Sequence, residues 1–108
     1  MSNLWFVLDD SNNPVPLAKG QYPPPGFRRH VGDTDVRGVR VSTVFLGLDH
    51  AYDAGPPILF ETMVFGGAHD QEQERYHTWA EAEAGHARWV QRVTVTQACA
   101  FADVEVTA

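Results

Sequence analysis

At Thr78 the hydrophobic period of the chain changes, and that change limits the folds open to it more than any other feature. Thr78-Trp-Ala-Glu81 matches a capping box, in which the threonine hydroxyl and the glutamate carboxylate satisfy each other's exposed backbone amides. Beyond it Trp79, Ala82, His86, Trp89, Val90 and Val93 recur at helical spacing and define one buried stripe. Glu81 and Glu83 complement the positive start of such a helix, and Arg88 and Arg92 lie toward its negative end. The spacing predicts a helix from Trp79 to about Ala98. The tail FADVEV alternates Val104 and Val106 with charge and predicts a short edge strand.

Before Thr78 the apolar runs are short and punctuated by glycine and proline. LWFVLDDSNNPVPL reads as a hairpin, Leu4 to Leu8 returning at Val15 to Leu17, because Asp and Asn side chains bond nearby backbone amides and tolerate positive φ. Pro14 and Pro16 cannot donate ladder hydrogen bonds, which places the return strand at an edge. From Lys19 to Asp35 periodicity disappears; Pro23 to Pro25 predict a stiff polyproline II loop that Gly26 lets the chain leave.

Val36 to Leu48 reads as one long strand whose apolar parity switches, which implies a bulge or burial of both faces. Ile58 to Phe65 reads as a second strand, pairing antiparallel with the first. Gly66 and Gly67 fit a turn with positive φ, and His69 to His77 a polar loop. The expected fold is α+β: a small antiparallel sheet of three to four strands packed on one C-terminal helix, a single domain over residues 1–108 with a Pro-rich loop at 19–35. A chain of 108 residues can bury such a core unaided.

Composition narrows the function classes. With 44% hydrophobic and 20% charged residues the chain falls among soluble globular domains, and no apolar run is long enough to cross a bilayer. The N-terminus lacks a basic start, so no secretory signal is expected. One cysteine permits neither an intrachain disulfide nor a cysteine zinc site, which fits a reducing cytoplasm; Cys99, among small and apolar neighbours, is expected to be buried. Fourteen carboxylates against eight basic residues give a net charge of −6, which disfavours direct nucleic-acid binding and favours a basic partner surface.

Four groups of residues can carry chemistry. Asp49 and His50, with Tyr52 and Asp53 beyond them, offer a carboxylate that can orient an imidazole, or an ordinary strand-end turn. Glu61 and Thr62 sit in an apolar strand, where the carboxylate needs solvent or a dedicated partner, for which Arg40 is the candidate. His69, His77 and His86, with Asp70 and Glu74, lack the fixed offsets of a metal motif, and His86 lies on the apolar stripe of the helix; neither a metal nor a cofactor is expected. Gly66-Gly67 lacks the phosphate-loop fingerprints. Two surface groups suit binding: the acidic residues Glu72, Glu74, Glu81 and Glu83, and the basic cluster Arg28, Arg29 and Arg40.

The blocks VSTVFLGLDH, PILFETMVFGG and RYHTWAEAEAGH, with the opening WFVLDDSNNPVP, resemble small proteins encoded by tailed phages and prophages. The resemblance covers most of the chain and departs at Lys19 to Asp35, where such proteins carry a longer, more helical insert. It implies a phage accessory protein acting in the cytoplasm of a bacterial host, and it transfers no catalytic residue. The expected role is host interaction or counter-defence. The acidic group would block a host defence protein, or the arginines would sequester a small nucleotide signal at a homo-oligomer interface. The alternatives are a small hydrolase or metal-dependent enzyme using Asp49, His50, Glu61 and His86, and a virion or assembly component.

Overall fold

The computed structural model describes residues 4–50 and 55–107, with side chains through Cys99. Two antiparallel sheets and one C-terminal helix form a small α+β fold. Strands β1 (Phe6–Leu8) and β2 (Pro14–Pro16) make the N-terminal hairpin. Its turn forms because the Asp9 carboxylate accepts the N–H groups of Ser11 at 2.8 Å and Asn13 at 2.9 Å, with Asn12 at φ 64°. Arg28 donates to Asn12 Oδ1 at 2.7 Å and to the Asp9 carbonyl at 2.6 Å, fastening the tip of the hairpin to the chain that enters the main sheet.

The main sheet is a meander, β3 (His30–Val36), β4 (Val39–Phe45), β5 (Phe60–Phe65) and β6 (Gln73–Tyr76), each strand beside its predecessor in the chain. Two of these strands correct the sequence reading. Arg37 and Gly38, at φ 51° and 87°, form a two-residue turn that folds the chain back, with the Asp35 carboxylate accepting the Gly38 N–H at 2.8 Å. Positive φ at both turn positions matches the twist of a hairpin. The expected strand from Val36 to Leu48 is therefore the hairpin turn plus β4. The end of the aperiodic stretch before it is strand β3, and β6 occupies what reads as polar loop. The bulge lies on β3, at Val31 between His30 and Gly32, while β4 is buried on both sides at Ser42 and Thr43.

Helix α1 (Trp79–Thr107) begins at the expected cap: the Glu81 N–H donates to Thr78 Oγ1 at 3.1 Å, and the Thr78 and His77 N–H groups donate to Glu81 Oε1 at 3.2 and 3.0 Å. It continues through the tail expected to form an edge strand, since no glycine or proline follows Gly85 to stop it. Cys99 is exposed, not buried, because it lies on the helix past the sheet-facing stripe.

The helix packs along all four strands on one face of the main sheet. Strand alternation sets that face: Val39, Val41, Thr43 and Phe45 on β4 lie opposite Val64, Thr62 and Phe60 on β5. The core has two parts. Val39, Val41 and Val64 pack with Trp89 and Val93. Phe45, Leu59 and Phe60 pack with Tyr76 and Ala82, and Phe6, Leu8 and Phe27 close that end. Each fully buried Val, Leu or Phe stabilises the fold by about 1.5–3 kcal/mol.

Candidate functional site

Between the two apolar clusters runs a belt of hydrogen-bonded polar side chains. His86 on α1 places Nε2 2.9 Å from Thr34 Oγ1 on β3 and Nδ1 2.7 Å from Thr43 Oγ1 on β4. Thr43 Oγ1 lies 2.5 Å from Thr62 Oγ1 on β5, and Thr62 Oγ1 lies 3.0 Å from the Tyr76 hydroxyl on β6. Tyr76 also reaches Glu74 Oε1 at 3.3 Å, and the Trp89 indole N–H donates to the same oxygen at 2.9 Å. Thr43 and Thr62 are fully buried, and in such surroundings an unpaired hydroxyl costs about 1–3 kcal/mol, so each link is held by its neighbours. Burial lowers the His86 pKa, against a smaller opposing effect of the Asp33 charge, and burial raises that of Tyr76.

Two glycines make the belt possible. A Cβ on Gly32 would stand 2.8 Å from the His86 ring, and one on Gly85 would overlap the Tyr76 hydroxyl. Sequence reasoning singled out His86, Glu74 and, beside Glu61, Thr62, but gave Thr43 no role and missed Thr34 and Tyr76. The available signal was a threonine at the centre of each apolar strand, in VSTVF and FETMV.

The structure does not bring Asp49, His50, Glu61 and His86 together. Asp49 Oδ1 accepts the Ile58 N–H at 2.9 Å, closing the neck of the loop between β4 and β5, while His50 is exposed and its backbone N–H donates to the Ile58 carbonyl. Tyr52 and Asp53 lie outside the described residues. Glu61 is on the sheet face away from the helix, where it takes the Arg75 Nε–H at 2.9 Å. Register explains why Arg40 is not its partner. Glu61 stands directly across from Arg75, whereas Arg40 stands across from Phe65, four residues or about 13 Å further along β5. Arg40 instead makes a two-pronged pair with Asp33, at 2.9 and 3.0 Å.

The other histidines are engaged separately. His69 bonds Glu72 at 2.5 Å and Thr96 on the helix at 3.0 Å, and His77 donates Nδ1–H to the Pro57 carbonyl at 2.9 Å. Among the described residues no three His, Cys, Asp or Glu side chains are grouped to hold a metal ion. No family model matches this chain, and neither a curated protein nor a solved structure does.

Among the described residues two surfaces remain as places where a partner could act. A groove of about 310 Å³ between β6 and the start of α1 is lined by Glu74, Arg75, Tyr76, His77, Glu81, Ala84 and Arg88. It holds two of the four expected acidic residues; Glu72 pairs with His69 and Glu83 is exposed on the helix. Arg88 reaches both Glu74 oxygens at 3.3 Å, so the groove carries both signs of charge.

The second surface is the sheet face away from the helix. The half-buried Val44 and Met63, the buried Ser42 and the 42% exposed Phe65 lie there between the Asp33–Arg40 and Glu61–Arg75 pairs, and no described strand or helix lies over them. The arginines of the basic cluster point to separate tasks. Arg28 holds the hairpin, Arg29 lies 5.6 Å from the centre of the Phe27 ring, and Arg40 pairs with Asp33.

Proposed function

We propose that the protein acts by binding another protein, in the setting that the sequence resemblance implies: a phage accessory protein that occupies a protein of its bacterial host as a counter-defence measure. The observation that carries this reading is the sheet face away from the helix, over which no described strand or helix lies. Val44, Met63 and Phe65 give it an apolar centre, and the Asp33–Arg40 and Glu61–Arg75 pairs give it a charged rim. Protein interfaces share that anatomy. The net charge of −6 makes a basic surface the complementary partner and speeds encounter with it.

Magnitudes constrain the contact. Four strands about 4.8 Å apart and about six residues long make a face of roughly 400 Å². A standard interface buries about 800 Å² on each partner, so the contact extends past the face onto an edge strand. Three arginines committed to three different contacts speak for a protein partner over a nucleotide. Asp49, Glu61 and His86, held in three different places, speak for binding over hydrolysis.

The test expresses the protein in bacterial strains that each carry one defence system, followed by phage plating. At least one strain is expected to regain plaques. Met63→Glu with Phe65→Glu should abolish that rescue, because a central contact residue typically accounts for about 2 kcal/mol or more. Glu83→Ala should retain it. No rescue in any strain overturns the counter-defence reading, and rescue that survives the double substitution overturns the sheet face as the contact.

A further inference from the structure

The belt has a direction. The Tyr76 hydroxyl has one proton and two neighbours, Thr62 Oγ1 at 3.0 Å and Glu74 Oε1 at 3.3 Å. A carboxylate has no proton to give, and Glu74 Oε1 already takes N–H groups from Trp89 and Arg88. Were the phenol to donate to Thr62, its lone pairs would face the carboxylate oxygen. Donation to Glu74 removes that repulsion, and every other link is then decided in turn. Taken alone, the Tyr76–Thr62 contact has the phenol as donor; with the phenol proton on Glu74 instead, the Thr62 hydroxyl has to donate to Tyr76, the Thr43 hydroxyl to Thr62, and His86 Nδ1–H to Thr43. His86 Nε2 is left with its lone pair toward Thr34, whose hydroxyl donates to it.

We infer that the belt is proton-ordered from His86 to Glu74, so that the carboxylate in the groove sets the tautomer of a histidine bonded to the strand at the opposite edge of the sheet. A cationic group that enters the groove and draws Glu74 away removes the terminal acceptor. The order can then reverse: Tyr76 donates to Thr62, Thr62 to Thr43, Thr43 to His86 Nδ1, and His86 Nε2–H to Thr34. Reversal needs only hydroxyl rotations and a change of imidazole tautomer. In this way occupancy of the β6–α1 groove is carried to β3, through the core and across all four strands. The inference rests on the belt alone and stands apart from the identity of any partner.

Histidine-labelled protein read by long-range proton–nitrogen NMR tests it, at a pH where the imidazoles are neutral and with the His86 signals assigned from His86→Gln. Free imidazole in water favours Nε2–H, so the Nδ1–H form expected here is diagnostic. Glu74→Ala removes the terminal acceptor, and the expected result is loss of the Nδ1–H form. Thr62→Val should uncouple the ends, so that adding Glu74→Ala no longer moves the His86 signals, and Thr62→Ser should restore the coupling. Tyr76→Phe breaks the same chain at another link and serves in place of Thr62→Val if that variant does not fold. An Nε2–H form in the unsubstituted protein, no response to Glu74→Ala, or a response that persists through a broken chain overturns the inference.

Discussion

Gly32 lies against the imidazole of His86 so closely that a Cβ on it would stand 2.8 Å from Cδ2 and Nε2 of the ring. Gly32→Ala therefore has to push the ring off Thr34 or bend β3 away from the helix. Overpacking of this kind costs about 1–3 kcal/mol. Chemical denaturation should show that loss, whereas Gly32→Ala combined with His86→Ala should recover part of it, because the second change removes the obstructing ring.

Thr62→Val keeps the shape of the side chain and removes the hydroxyl between Thr43 and Tyr76. Stranding a buried partner costs about 1–3 kcal/mol. Thr43→Val should cost a similar amount, and the double variant less than the two added together, since the second change removes a group the first had already orphaned. Urea midpoints of the four proteins check this, and full additivity would mean that the 2.5 Å contact between Thr43 and Thr62 contributes nothing.

Stability should fall as the solution is acidified through the histidine range. Burial places the folded pKa of His86 below its ordinary value of 6.5, so the unfolded chain binds a proton that the folded chain refuses. The contribution is fully present above the ordinary value and is lost as the pH falls toward the folded one. Thr34 and Thr43 face the ring as neutral groups, and the Asp33 charge opposes the shift without cancelling it. Unfolding free energies between about pH 7 and pH 5 should therefore slope downward, and His86→Gln should flatten the slope.

Thr78→Ala should destabilise the protein by about 1 kcal/mol, the usual effect of losing an N-cap hydroxyl. Glu81 serves the His77 and Thr78 amides together, which holds its carboxyl below the usual carboxylate range. Glu81→Gln keeps the acceptor oxygen and should cost less than Glu81→Ala. Thermal denaturation followed by the helical signal separates them.

The parts of the fold legible in the sequence were those with an apolar inner face. The alternation at Val39 and Val41, the run from Phe60 to Val64 and the stripe from Trp79 to Val93 all marked elements that exist. The two strands that escaped, β3 and β6, have polar or absent side chains where an apolar period should stand. Gly32 and Thr34 face the helix from one, Glu74 and Tyr76 from the other, and all four serve the belt. The same residues that hid the edge strands therefore make up the candidate site. The Arg37-Gly38 turn was missed because a non-glycine residue takes the left-handed conformation at its first position. Glu61 in an apolar strand signals a need for solvent or a partner, but choosing Arg75 over Arg40 requires the register of β6, a strand without an apolar period.

The belt also separates two apolar clusters of the described residues, one on either side of Thr43 and Thr62. Val41 and Val64 are repacked within one, Phe45 and Phe60 within the other, and a volume change in either meets a hydrogen-bonded partition before it meets the other's side chains. Substitutions in different clusters should then combine independently, as those at well-separated sites do, and compensating pairs should be found within a cluster and not across the belt. A chain this short thereby drifts as two small neighbourhoods with a fixed boundary between them, each free to change its contents while the threonines and His86 hold the line.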